Sequence, residues 1–294
     1  MKVKQSSAIF MAILAAALYA LNSPLSKLLL NHVSATMMAA FLYLGAGFGM
    51  CILRFVQKQS GKQSNEEPLT KKDLPYTIAM VVLDIAALIF LMIGLSMTTA
   101  ANASLLNNFE IVATSLIALL LFREVISRRL WIAIILVTIS SIILSFEDAS
   151  SLSFSWGSLF VLLACCCWGL ENNCTRSISD KDPLEIVVVK GFGSGLGSLV
   201  IASAVGETTP AIPYILGALL LGFVAYGLSI FFYIYAQRYL GAAKTSAYYA
   251  LAPFIGSALS LLIFRGLPPL SYFIALCIMI VGTYLASTES ADEE

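Results

Sequence analysis

Ten continuous apolar stretches, each near the length a helix needs to cross a bilayer, constrain this chain more than any other feature. A crossing helix takes about 20 mostly apolar residues. The stretches are Ile9–Leu30, Ala35–Val56, Pro75–Met97, Ala100–Phe122, Leu130–Phe146, Trp156–Cys174, Leu184–Val205, Ile212–Ala236, Ala242–Phe264 and Leu270–Ser287. Each break between them holds charge, proline or a short polar cluster. The runs do not alternate apolar and polar residues, so they do not read as the short strands of a membrane barrel. Of the 294 residues, 59% are hydrophobic and 12% charged. A soluble domain carries roughly 45–50% apolar and about 25% charged residues. The polar surface is too small to cover water-soluble domains, and the expectation is an all-α membrane protein with ten transmembrane helices.

The connections are short. The longest, Gln57 to Leu74, carries Lys58, Lys62, Glu66, Glu67, Lys71, Lys72 and Asp73 and reads as a solvated loop. No connection is long enough for a separate catalytic or receptor domain. Orientation follows from where Lys and Arg fall, because basic residues stay on the cytoplasmic side. With the amino terminus inside, 14 of the 17 basic residues lie at inner ends, Lys27 and Arg265 lie at outer ends, and Lys190 lies within a span. Both termini are therefore expected in the cytoplasm of a protein resident in the cell (plasma or inner) membrane.

Net charge is zero, so nothing points to nucleic acid. Cys51, Cys165, Cys166, Cys167, Cys174 and Cys277 lie in or at the ends of apolar runs at spacings that match no zinc or redox motif. They read as small packing residues. His32 is the sole histidine, and one histidine makes neither a metal site nor a catalytic triad. No cofactor or metal is expected. No secretory signal is expected either, since the first apolar stretch is too long and lacks a small-residue cleavage site followed by a polar start.

The chain repeats itself weakly. Phe122-Arg123 and Phe264-Arg265 end the fourth and ninth spans, and at the same offset Ser104, Ser115 and Ala133 meet Ser246, Ser257 and Ala275. Tyr19-Ala20-Leu21-Asn22 lines up with Trp168-Gly169-Leu170-Glu171, and Gly45-x-x-x-Gly49 with Gly193-x-x-x-Gly197. Residues 1–148 and 149–294 thus read as two five-helix repeats. Five is odd, so the second repeat enters the membrane from the opposite side. Inverted repeats around a central cavity are a physical route to alternating access, which favours a transporter over an enzyme or receptor.

Four ionisable residues fall within spans: Asp84, Glu110, Glu171 and Lys190. Each costs about 2.5–3.5 kcal/mol at a helix centre, so each should face a cavity or a partner. Glu110 shares helical spacing with Asn107 and Thr114, a polar stripe that reads as a cavity wall or as a hydrogen-bonded helix seam. Glu171 follows Trp168 by three residues and has Asn22, near Pro24, as its repeat mate. It either lines the cavity or pairs with nearby Arg176. Lys190 neutralises Glu171 or Glu110, contacts a substrate carboxylate, or snorkels to the cytoplasm. Asp84 has no partner in sequence and either carries a proton or is buried neutral. Tyr248 and Tyr249 line a cavity and stack on planar cargo, or simply pack. Gly191, Gly193, Gly195 and Gly197 point to close helix packing, since no strand precedes them to make a nucleotide loop.

The segment from Ala100-Ala101-Asn102-Ala103-Ser104-Leu105-Leu106 through Phe109-Glu110 to Phe122-Arg123-Glu124, with its echo Gly241-Ala242-Ala243-Lys244-Thr245-Ser246 to Ala252-Pro253, resembles the EamA type of the drug/metabolite transporter superfamily. The resemblance spans nearly the whole chain. Family members pair an acid with a following proline in both places. This chain keeps Glu110 without the proline and Pro253 without the acid. The resemblance implies a ten-helix fold with a central cavity and small organic cargo, often exported.

The expected function is secondary transport of a small polar or zwitterionic metabolite such as an amino acid. Asn22, Asp84, Asn107, Glu110, Glu171, Lys190, Tyr248 and Tyr249 are the candidate cavity residues, with Glu110 or Glu171 exchanging a proton. The partners expected are that solute, the bilayer and a second copy of the chain as a homodimer. A broad exporter of drugs or organic cations is the alternative. A lipid enzyme would need a nucleophile with its base or a metal cluster, and a channel would show non-saturating conductance.

Overall fold

The computed structural model describes residues 2–59, 67–122, 126–148, 153–178, 181–240, 245 and 248–289. The helices are α1 (Lys2–Ala20), α2 (Asn22–Leu29), α3 (Ala35–Gln59), α4 (Leu74–Met97), α5 (Ala100–Leu106), α6 (Phe109–Phe122), α7 (Arg128–Ser145), α8 (Trp156–Arg176), α9 (Pro183–Ala204), α10 (Ile212–Gly222), α11 (Ser229–Leu240), α12 (Ala252–Phe264) and α13 (Leu270–Glu289). A π-helical turn, Phe223–Leu228, joins α10 to α11. Two short strands, β1 (Phe146–Asp148) and β2 (Ser153–Phe154), pair antiparallel between α7 and α8.

Among the described residues, eight helical segments are long and apolar enough to cross a membrane: Ser6–Leu29, Ala35–Gln59, Lys71–Met97, Ala100–Leu121, Arg128–Ser145, Pro183–Ala204, Ile212–Tyr233 and Leu270–Ser287. The sixth expected span forms the 21-residue helix α8, whose polar end dilutes its hydropathy. Of the ninth, α12 supplies a largely apolar helix of 13 residues, while 241–244 and 246–247 lie outside the described residues. The outward faces are apolar throughout: Val82, Leu120, Ile135, Val200, Leu216 and Leu262 are all exposed. Apolar surface on this scale belongs in lipid.

Helix starts follow capping chemistry. Thr99 accepts from Asn102 N at the start of α5, Ser127 from Leu130 N at α7, and Ser155 from Ser158 N at α8. Asp182 accepts from Leu184 N before Pro183 opens α9, where the missing proline N–H costs nothing.

Two expected spans are interrupted. The first breaks at Leu21 between α1 and α2. Pro24 has no N–H to offer the Ala20 carbonyl four residues back, and Gly256 of α12 packs against that oxygen. The fourth breaks at Asn107–Asn108 between α5 and α6. The Asn108 side chain donates to the Leu105 carbonyl at 3.2 Å, the local competition with the backbone that makes asparagine a poor mid-helix residue. The expected stripe of Asn107, Glu110 and Thr114 is therefore not one continuous helix face.

The bundle pairs α3 with α9, α4 with α8, α7 with α13 and α1 with α11. Small residues allow the close approaches. A methyl on Gly45 would overlap the Leu219 carbonyl, and one on Gly222 would overlap the Leu42 carbonyl. Gly49 meets the Phe223 ring, while on α9 Gly193 meets Val81 and Gly197 meets Ile85 of α4.

The ends of the bundle are tied by polar contacts. Glu207, just after α9, accepts from Ser34 Oγ at 2.6 Å, Met37 N at 2.7 Å and Thr36 N at 3.2 Å, capping α3. His32 stacks on Tyr214 beside it, with ring centroids 4.2 Å apart. At the start of α9, Asp182 N donates to the Glu67 carbonyl at 2.7 Å. Lys181 pairs with Glu67 at 2.8 Å, and Leu69 N donates to Glu185 at 3.1 Å. The end of the charged loop after α3 is thus docked on α9.

Candidate functional site

Burial of charge inside an apolar bundle demands partners, and Lys190 of α9 is where they meet. Its Nζ lies 3.1 Å from Asp84 Oδ2 of α4 and 3.1 Å from Glu171 Oε1 of α8. Asp84 and Glu171 are buried, and Lys190 keeps 16% side-chain exposure. The Tyr43 hydroxyl of α3 neighbours Asp84, but neither that contact nor the Lys190 ion pair has hydrogen-bond alignment. Thr175 Oγ1 donates to Glu171 Oε1 one turn further along α8. Asp84, isolated in sequence, therefore has a partner 106 positions away. The Arg176 side chain lies outside the described residues.

Glu110 stands apart from this triad but within electrostatic reach of Glu171 and Lys190. Its Oε1 accepts from Asn172 Nδ2 at 2.6 Å, and the same amide lies 3.4 Å from Thr114 Oγ1. Asn173 donates to the Thr114 carbonyl at 3.2 Å. The α6–α8 interface is thus a hydrogen-bonded seam with a carboxylate in it. Asn107 caps α5, is buried, and leaves its Oδ1 without a hydrogen-bond partner.

Asn22 sits at the α1–α2 break. Its Nδ2 donates to the Tyr226 hydroxyl at 2.9 Å, and its Oδ1 accepts from Ser26 Oγ at 3.0 Å. Tyr226 belongs to the π turn and opens a run of rings. Its centroid is 5.6 Å from Tyr43 and 5.8 Å from Tyr19, and Tyr19 is 5.7 Å from Tyr249. The Tyr249 hydroxyl lies 3.3 Å from Ser229 Oγ. Tyr43 touches the acid cluster at one end of this run, and Tyr19 stands within electrostatic reach of Glu110. Tyr248 is elsewhere, packed with Ile9 and Met11 on the small cluster of Ala8, Ala12 and Ala236.

Asp84, Glu171 and Lys190 are thus brought into one cluster, with Asn22, Glu110 and Tyr249 bordering it through the tyrosines. Asn107 and Tyr248 are not in it. Sequence reasoning missed Tyr43 and Tyr226. Both are aromatic residues with a polar tip set among small residues on apolar helices, and that was the only signal available. Among the described residues, three carboxylates against one ammonium give the region a net demand for positive charge. Among the described residues no group of His, Cys, Asp and Glu could hold a metal ion.

A separate cavity of about 520 Å3 lies near the ends of α5, α7 and α12, lined by Lys27, Asn102, Ser260, Leu261, Phe264 and Tyr272 among others. None of the candidate residues borders it.

The model of the EamA-like transporter family matches residues 6–146 and again 155–288. An uncharacterized transporter of Methanothermobacter thermautotrophicus (strain Delta H) is 25% identical over 287 residues, covering 91% of this chain and 82% of that one. A solved crystal structure superposes with a TM-score of 0.67 at 15% identity, covering 98% of this chain and 99% of that chain, which is a likeness of fold alone. With apolar helices throughout and family matches over nearly its whole length, the chain is a multi-pass membrane transporter that belongs to the EamA-like transporter family.

Proposed function

We propose that this protein exports a small ammonium-bearing metabolite, such as an amino acid, across the cell membrane by proton-coupled alternating access. The observation that carries this reading is the excess of carboxylates over ammonium groups within the bundle among the described residues. Asp84 and Glu171 share Lys190, while Glu110, among the described residues, accepts from the neutral Asn172 amide. A cluster short of positive charge binds a proton or a cationic group, and the exchange of one for the other is coupling. Asn22, Glu110, Tyr19 and Tyr249 border the transport path in this reading, separate from the cavity lined by Lys27, and Glu110 or Glu171 carries the proton.

The transport cycle rests on ten spans with both termini cytoplasmic, arranged as two inverted repeats. The helix contacts support it. Gly45 and Gly49 meet Leu219 and Phe223, and their repeat mates Gly193 and Gly197 meet Val81 and Ile85. Each glycine pair is offset by 148 positions, and each partner pair by 138. The pairing of α4 with α8 is likewise the counterpart of α1 with α11.

Proteoliposomes loaded with labelled amino acids test the reading. Efflux should accelerate when a proton gradient is imposed, and Glu110→Gln should abolish that acceleration. Flux indifferent to the gradient removes the coupling, and normal coupling in Glu110→Gln removes that residue from it.

The row of tyrosines favours a second reading. Rings beside carboxylates also suit organic cations. Competition between amino acids and tetraalkylammonium ions for flux separates the two.

A further inference from the structure

The cavity away from the carboxylates has a chemistry of its own. Its volume, about 520 Å3, falls within the roughly 300–1,000 Å3 of small-molecule sites. Ile143, Leu144, Leu261, Phe264 and Leu267 make its walls apolar. At its edge stand the two basic residues that the charge pattern assigns to the outer face. Lys27 lines it, and Arg265 lies between two lining residues, Phe264 and Gly266.

Both cations have features that packing alone does not explain. Lys27 Nζ donates to the Leu95 and Ser96 carbonyls at 2.5 and 3.0 Å, closing the end of α4. An ammonium has three protons, so one donor remains beyond these two bonds. Arg265 is left-handed, with φ 52°, and is the sole non-glycine residue with positive φ among the described residues. It caps α12 there, a position where glycine is the default and any other residue is strained. Gly266 is its immediate neighbour, so a one-residue shift would put glycine at the cap. The Arg265 side chain is exposed, and its backbone lies between two residues that line the cavity. The loop that follows, Leu267-Pro268-Pro269, leaves Leu267 98% exposed, an apolar side chain available to an acyl chain.

We propose that this cavity binds an anionic amphiphile, with its headgroup on Lys27 and Arg265 and its aliphatic tail along Leu261, Phe264 and Leu267. The headgroup is a phosphate or a carboxylate, so the source is either a bilayer phospholipid or a free fatty acid. The site is distinct from the carboxylate cluster and stands or falls independently of the cargo.

Native mass spectrometry of the full-length detergent-solubilised protein tests it, with dioleoyl phosphatidylglycerol, oleate and dioleoyl phosphatidylcholine as separate probes. One anionic molecule should be retained per chain, and phosphatidylcholine about tenfold less. Losing one charge-assisted hydrogen bond should weaken retention about tenfold in Arg265→Ala, an exposed change that leaves the Lys27 contacts in place. Ser271→Trp should block the cavity to both anionic probes. Retention of phosphatidylglycerol alone assigns the site to bilayer lipid, and retention of oleate alone assigns it to free fatty acid. Equal retention of all three probes, or anionic retention unchanged in both variants, overturns the proposal.

Discussion

Asn22 donates its side-chain amide to the Tyr226 hydroxyl at 2.9 Å, and this bond joins the break between α1 and α2 to the π turn between α10 and α11. Two departures from α-helix thus meet at one hydrogen bond, 204 residues apart in sequence. π turns inside helices recur at functional sites, and this one places a tyrosine against the polar residue at the α1–α2 break.

Tyr226→Phe keeps the ring and removes the acceptor. The buried Asn22 amide then loses this partner, which costs about 1–3 kcal/mol. Thermal unfolding of the solubilised protein should show the loss. The Asn22→Ala, Tyr226→Phe double variant should be less destabilised than the sum of the singles, since both remove one bond.

Removing Lys190 has a larger effect. Lys190→Met leaves Asp84 and Glu171 facing each other without a cation, and breaking a buried pair in this way costs about 3–5 kcal/mol. Adding Asp84→Asn should recover part of that loss, as measured by denaturation midpoint. If Lys190→Met is as stable as the parent, the ammonium is not neutralising the two acids.

Glu207→Ala removes the acceptor for two amides at the start of α3. Loss of a helix cap costs about 0.5–2 kcal/mol. Hydrogen exchange should rise at Thr36 and Met37 and remain unchanged at the start of α9, where Asp182 supplies the cap.

Gly222→Ala sets a methyl into the Leu42 carbonyl and should drive α10 away from α3, lowering the melting temperature. Gly217→Ala on the same helix is the control. Its methyl would meet only Leu29 Cδ2 at 3.5 Å, an ordinary contact, and its stability should match or slightly exceed the parent.

A helical membrane protein was legible in the sequence because lipid leaves a chain few choices. Backbone groups must be satisfied within each segment, so continuous apolar runs become helices whatever their neighbours. The break near Pro24 has a local cause, a missing N–H, but an apolar run through it still read as one span. The break at Asn107 was not legible either, since two asparagines in an apolar run read equally well as a polar stripe. The partner of Asp84 was invisible for a different reason. Nothing local to either residue specifies a contact between α4 and α9, which depends on how glycines on α9 let the two helices approach. Lys190 was recognised as a charge needing compensation by Glu171 or Glu110, and the structure pairs it with Glu171 and with Asp84, which sequence spacing did not offer. The π turn left no trace, because Phe223 to Leu228 has the same apolar character as the α-helix around it.

The glycine contacts carry one more consequence. Under the correspondence that relates Gly193 and Val81 to Gly45 and Leu219, Asp84 falls on Gly222 and Lys190 on Leu42. The same crossing point is a charge pair in one place and bare backbone against backbone in the other. A carrier assembled from chemically identical halves would rest equally often open to either side. Here one crossing is held by ions and the other by van der Waals contact, so in the alternating-access reading proposed above the two resting orientations differ in energy. That reading gives the protein a resting bias toward one side before any cargo arrives, a bias of populations that sets no direction of net transport.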